Sequence, residues 1–163
     1  MRKDIVISLI LVILWMVFLF YLSSKDTISS NQDSSNIVKG IVDTVDNITG
    51  TTNEKRIIHN ENNYLKDINT IFRKVCHSIC YMTLSILVFN FIIRITKNKI
   101  LIYDLISFII CFIYACTDEY HQSFVTGRTG SFNDVLIDSS GIIIGLLLIS
   151  LIYKKYDKRL HYV

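Results

Sequence analysis

The chain has 163 residues, of which 51% are hydrophobic and 19% charged, with no proline, a mean hydropathy of +0.42 and a formal net charge of +3. That balance excludes a soluble domain with an ordinary charged surface and points to a membrane. The excess charge does not gather on a patch with groove-reading or base-stacking residues, so no nucleic-acid partner is expected.

The first predicted element is the apolar run Ile5–Leu22. Arg2 and Lys3 before it and Ser23-Ser24 after it resemble the flanks of a secretory leader. The run is longer than the roughly 7–15 apolar residues of a leader and no A-x-A-like site follows, so it reads as a retained transmembrane helix.

A loop over residues 23–74 comes next, in two parts. Ser23–Asn36 is rich in Ser, Asn and Asp and reads as irregular, whereas Ile37, Val38, Ile41, Val42, Val45 and Ile48 recur at helical spacing. The second part predicts an amphipathic helix on the membrane surface or over the bundle, and a packing lid without a ligand is its simplest role. Thr49–Asn53 should end it, and Glu54–Phe72 should lead helically into the second span.

Three more apolar runs follow, Val75–Ile93, Ile100–Thr117 and Val135–Tyr153. Each of the four runs covers about 27–28 Å at roughly 1.5 Å per residue, enough to cross the hydrocarbon core. The expected fold is an all-α membrane protein, a single domain over residues 1–163. It is a four-transmembrane-helix bundle with an extracytoplasmic loop that contains an amphipathic helix. No internal repeat is visible. The four cysteines allow three connectivities, between which the sequence does not choose.

Basic residues set the expected orientation. Arg2 and Lys3, then Arg94, Lys97 and Lys99, then Lys154, Lys155, Lys158 and Arg159 lie on one side of a four-span chain, which the positive-inside rule makes cytoplasmic. Both termini are then cytoplasmic in a multi-pass protein of a bacterial cell membrane. The 23–74 loop carries seven Lys/Arg and seven Asp/Glu and does not oppose that orientation. The inner basic segments are suited to anionic membrane lipids.

Each of the last three spans carries a polar or small-residue face. Arg73, His77 and Tyr81 follow at steps of four on the second. Asp104, Ser107, Cys111, Tyr114, Asp118 and His121 form a stripe on the third, and Asp134, Asp138, Gly141 and Gly145 on the fourth. Lipid penalises such faces, so they should converge inside the bundle, mostly near its outer end. Gly141 and Gly145 form a G-x-x-x-G surface that suits close packing within the chain or a homo-oligomer equally well. Asp104, near the inner end, is expected to cap or to reach the interface.

The densest polar stretch is Asp118–Asp138, D-E-Y-H-Q-S-F-V-T-G-R-T-G-S-F-N-D-V-L-I-D, between two apolar spans. A charge at a helix centre costs about 2.5–3.5 kcal/mol on insertion scales, so this block is a functional candidate. Its residues carry a resemblance. Ser23-Ser24 after the first span, R-K-x-x-H-x-x-x-Y on Arg73, Lys74, His77 and Tyr81, and D-E-x-x-Q-x-F-x-x-G-R on Asp118, Glu119, Gln122, Phe124, Gly127 and Arg128, followed by Ser131, Asp134 and Gly141, resemble the VanZ-like family of small bacterial membrane proteins. That family is named for an accessory determinant of resistance to the glycopeptide teicoplanin. The resemblance covers nearly the whole chain, most weakly in the 23–74 loop, with Thr126 where the pattern has proline. It implies a role at the cell envelope and an association with antibiotic response, and no settled chemistry.

The candidate ligand-binding residues are Arg73, Lys74, His77, Tyr81, Asp118, Glu119, His121, Gln122, Arg128, Asp134 and Asp138. The cations suit phosphate or carboxylate, and the acids suit cations, amines or hydroxyls. A mixed-sign pocket fits an envelope lipid-linked component or a lipoglycopeptide. The plainer alternative is mutual neutralisation, Arg73 and Lys74 pairing with Asp118, Glu119 or Asp134 to hold helix register. Tyr81, Phe124 and Phe132 read as packing or interfacial aromatics.

Catalysis is the rival, with His77 and Asp118 or Glu119 as an acid/base pair in a lipid-headgroup hydrolase or transferase. No G-x-S-x-G, H-E-x-x-H or G-x-x-x-x-G-K-[ST] motif supports it, so binding is favoured and catalytic residues stay unassigned. Cys76, His77, Cys80 and Cys116 have metal-ligand chemistry but match no standard zinc spacing, and neither a metal nor another cofactor is expected. A transporter subunit is a third class, disfavoured without repeats or broken helices.

Overall fold

The computed structural model describes residues 3–25, 61–96, 99–126 and 130–160, together with 36–38, 40, 41, 44, 47 and 48. Among these there is no strand. A chain in hydrocarbon must satisfy its backbone N–H and C=O groups within each segment, and the helix does so locally. Four helices result: α1 (Lys3–Ser24), α2 (Glu61–Ile95), α3 (Ile100–Gln122) and α4 (Phe132–Leu160). All four are long and apolar enough to cross a membrane. With its 35 residues, α2 is about 52 Å long and overruns the bilayer core.

The first helix is apolar all round and buries only a narrow stripe, Ser8, Val12, Leu19 and Ser23. Its other faces, with Ile7, Leu14, Val17 and Tyr21, are left to lipid. Two long-range bonds dock it: Trp15 Nε1 donates to Cys80 O on α2 at 3.0 Å, and Tyr114 on α3 donates its hydroxyl to Met16 O at 2.6 Å. On α3 the buried face is Tyr103, Ser107, Cys111, Ala115, Asp118 and Glu119, so Ser107, Cys111 and Asp118 of the stripe seen in the sequence turn fully inward, while Asp104, Tyr114 and His121 are half-buried.

The α2–α4 interface is the most extensive in the bundle. It depends on small residues. A Cβ at Gly141 would collide with the Ser78 carbonyl oxygen, and one at Gly145 with Ser85 Oγ and Met82 O. Ser78 Oγ adds a hydrogen bond to Ile137 O at 3.1 Å. The G-x-x-x-G surface is therefore occupied by α2 of the same chain. Tyr81, Leu84, Val88, Phe89 and Ile142 fill the core beside it. Asp104 is held by the Ser150 hydroxyl of α4, a cross-helix partner that replaces the cap or the interface expected for it.

The described residues within 36–48 are helical, with Val38 buried and Ile37, Ile41 and Ile48 exposed. Val42, Val45, the Thr49–Asn53 stop, residues 26–35 and residues 54–60 lie outside the described residues.

Candidate functional site

The polar residues of α2, α3 and α4 meet at the end of the bundle where α3 connects to α4. His77 sits between two aspartates. Its Nδ1 lies 3.2 and 3.1 Å from the two carboxylate oxygens of Asp138, which an imidazole protonated at that nitrogen satisfies. Its Nε2 lies 3.6 Å from Asp118 Oδ2. The same Asp118 oxygen accepts the Tyr81 hydroxyl at 3.1 Å and the Gln122 amide at 3.4 Å. Asp118 and Asp138 are each only 3% exposed. Two such carboxylates flanking one imidazole are costly unless protons, hydrogen bonds or a bound group neutralise them.

Helical spacing explains the convergence. One turn separates His77 from Tyr81, and one turn separates Asp134 from Asp138, so each pair shares a face. Lys74 and Asp134, a turn nearer the helix ends, form a second ion pair at 2.5 Å, with side chains 40% and 31% exposed. Arg73 lies within electrostatic reach of Asp134. A water-accessible rim pair thus stands beside a buried His–Asp cluster.

Of the pairings weighed from the sequence, Lys74 takes Asp134 and His77 approaches Asp118, while the His77–Asp138 contact is one that the sequence did not single out. Tyr81 is fully buried with its hydroxyl on Asp118, so it is a core residue rather than an interfacial one. Phe124 and Phe132 are exposed at this end. His121 packs its ring on Phe20 of α1, with centroids 4.5 Å apart. Asp118 Oδ1 and His121 Nδ1 are buried here and have no hydrogen-bond partner among the described residues. Buried polar atoms are rarely left so, and each can receive a donor or acceptor from a bound molecule or water. Arg128 and Gly127 lie outside the described residues.

Glu119 does a different job. Its Oε1 accepts the Ser131 backbone N–H at 2.6 Å, while Ser131 Oγ accepts Asn133 N–H at 3.3 Å as the cap of α4. The carboxylate thereby ties the end of α3 to the start of α4, near the positive end of the α4 dipole. Beside it opens a cleft of about 270 Å³ lined by Cys116, Glu119, Tyr120, Ser123, Ser131 and Phe132 among others. Of these the sequence singled out Glu119 for binding. Cys116, Tyr120 and Ser123 follow Glu119's side of α3 at helical steps, a signal that their mixed apolar and polar character concealed.

Cys76, Cys80, Cys111 and Cys116 are all free thiols. Among the described residues no group of three or more His, Cys, Asp or Glu is placed to hold a metal ion, so Cys76, His77, Cys80 and Cys116 do not assemble into one.

These features define a multi-pass α-helical membrane protein with a buried polar cluster at one end of a four-helix bundle. The chain belongs to the VanZ/LLP1 family, whose model matches residues 8–153. No curated protein and no solved structure matches it.

Proposed function

We propose that this VanZ-family protein uses the polar end of its bundle to recognise a lipid-linked component of the bacterial envelope or a lipoglycopeptide, and thereby contributes to resistance to teicoplanin. The site faces outward and both termini lie in the cytoplasm. The observation that carries this reading is the two-tier site: a rim pair, Lys74 and Asp134, open to both signs of charge, beside the His77–Asp118–Asp138 cluster, where Asp118 Oδ1 has no hydrogen-bond partner among the described residues. A zwitterionic or phosphorylated headgroup would exchange its charges with the rim while its chains stay on the apolar helix faces. Self-association, with Gly141 and Gly145 already packed, would run through exposed faces such as that of α1.

Titration of purified protein in nanodiscs with teicoplanin and with a polyprenyl-diphosphate-linked cell-wall precursor tests the reading. Binding of either that falls together in Lys74→Ala and His77→Ala supports it. A folded wild type that binds neither refutes it.

A second reading rests on the His77–Asp138 contact. An imidazole held at Nδ1 by a carboxylate, its Nε2 turned to a second acid, is the arrangement of an acid/base pair. In a headgroup hydrolase or transferase His77→Ala would abolish turnover and leave binding intact.

A further inference from the structure

The cleft between α3 and α4 is set apart from the His77 cluster by its composition. Among its lining residues Glu119 is the one that carries a formal charge, and the others include the thiol of Cys116 and the hydroxyls of Ser123 and Ser131. Glu119 is 7% exposed, and one of its oxygens is taken by Ser131 N–H. Asp134 and Asp138 lie within electrostatic reach of it, as does His77, whose influence opposes theirs. The cleft opens beside Tyr120 and Phe132, which are 69% and 66% exposed, the position of aromatic residues at a membrane interface. Its volume, about 270 Å³, admits a headgroup and not a whole amphiphile. Ile113 and Leu136, about one helical turn from the lining residues Cys116 and Phe132, are exposed and offer apolar surface for acyl chains.

We propose that this cleft is a headgroup site for an amine-bearing membrane phospholipid, whose ammonium group is received by Glu119. A carboxylate in a mostly uncharged cleft favours a cation over an anion, and the exposed aromatic rings of Tyr120 and Phe132 beside it suit a molecule already in the bilayer. The proposal rests on the reading that this end of the bundle recognises amphiphiles, and it names the class.

Native mass spectrometry of the full-length protein, released from micelles holding equal amounts of phosphatidylethanolamine and phosphatidylglycerol with matched chains, tests it. Wild type should retain the amine lipid by about fivefold or more. Glu119→Gln, which keeps an acceptor for Ser131 N–H, should retain the two lipids equally, and so should Cys116→Trp, which fills the cleft. Equal retention by wild type overturns the assignment, as does a preference that survives Glu119→Gln. Should that variant not purify as a folded protein, a preference that survives Cys116→Trp overturns it instead. Titrating teicoplanin and the lipid-linked precursor on the same preparation separates the two claims. Binding of either without an amine preference removes only the headgroup assignment, whereas an amine preference without either removes the functional reading.

Discussion

His77 on α2 and Asp138 on α4 meet with the imidazole Nδ1 3.1 and 3.2 Å from the carboxylate oxygens, one helical turn before Gly141 packs on the Ser78 backbone. The polar contact and the glycine contact are consecutive steps of one interface. Short side chains let the two backbones approach, and that approach brings the imidazole within reach of the acid.

Gly141→Ala should therefore destabilise the bundle by about 1–3 kcal/mol, because the added methyl meets a backbone carbonyl that cannot turn aside. Gly40→Ala is the control. A Cβ there meets nothing within 4 Å, so that variant should be neutral or gain up to about 1 kcal/mol from helix propensity. Unfolding in detergent by graded sodium dodecyl sulfate measures both, and equal effects would contradict the close packing of Gly141 on Ser78.

A double-mutant cycle on His77→Ala and Asp138→Ala should show coupling. His77→Ala strands a buried carboxylate and Asp138→Ala a half-buried imidazole, and each should cost about 1–3 kcal/mol. The double variant should cost less than their sum by more than about 0.5 kcal/mol. Strict additivity would mean that the two side chains do not act as a pair.

Tyr81→Phe removes the shortest hydrogen bond to Asp118 and leaves the Gln122 amide at 3.4 Å. The expected cost is about 1–3 kcal/mol, for a buried carboxylate oxygen that loses a donor. It should shrink when Asp118→Asn is present, since a neutral amide is cheaper to leave under-bonded.

Lys74→Ala should separate stability from binding. The Lys74–Asp134 pair is part-exposed and should contribute no more than about 1 kcal/mol to folding. Binding of a phosphorylated or carboxylated amphiphile should nevertheless fall, as isothermal titration would read. An unchanged affinity would remove the rim from the site.

Orientation is open to thiol labelling in a background whose native cysteines are replaced by alanine or serine. Thr126→Cys, exposed at the α3–α4 end, should react with a membrane-impermeant maleimide in intact cells, whereas Lys155→Cys should react only after permeabilisation. The reverse pattern would place the polar site on the cytoplasmic side.

The sequence by itself determined the class of fold and the presence of polar faces on its last three helices. Long apolar runs have few options in a bilayer, because their backbone groups must be satisfied locally, so four spanning helices were legible from hydropathy alone. Ser107, Cys111 and Asp118 were legible as an inward stripe for the same reason that any polar face avoids lipid. Tertiary structure decided the partners. The sequence left Lys74 open to Asp118, Glu119 or Asp134 and His77 open to Asp118 or Glu119, and the α2–α4 register assigned Asp134 to the one and Asp138 to the other. Periodicity reports which face a residue occupies and carries no information on the rotation or height of the neighbouring helix. Those are set by where the small residues Ser78, Gly141 and Gly145 allow backbones to touch. The cleft at Glu119 depended on tertiary structure for the same reason, since its walls come from the end of one helix and the cap of the next, joined by the hydrogen bond from Ser131 N–H to Glu119.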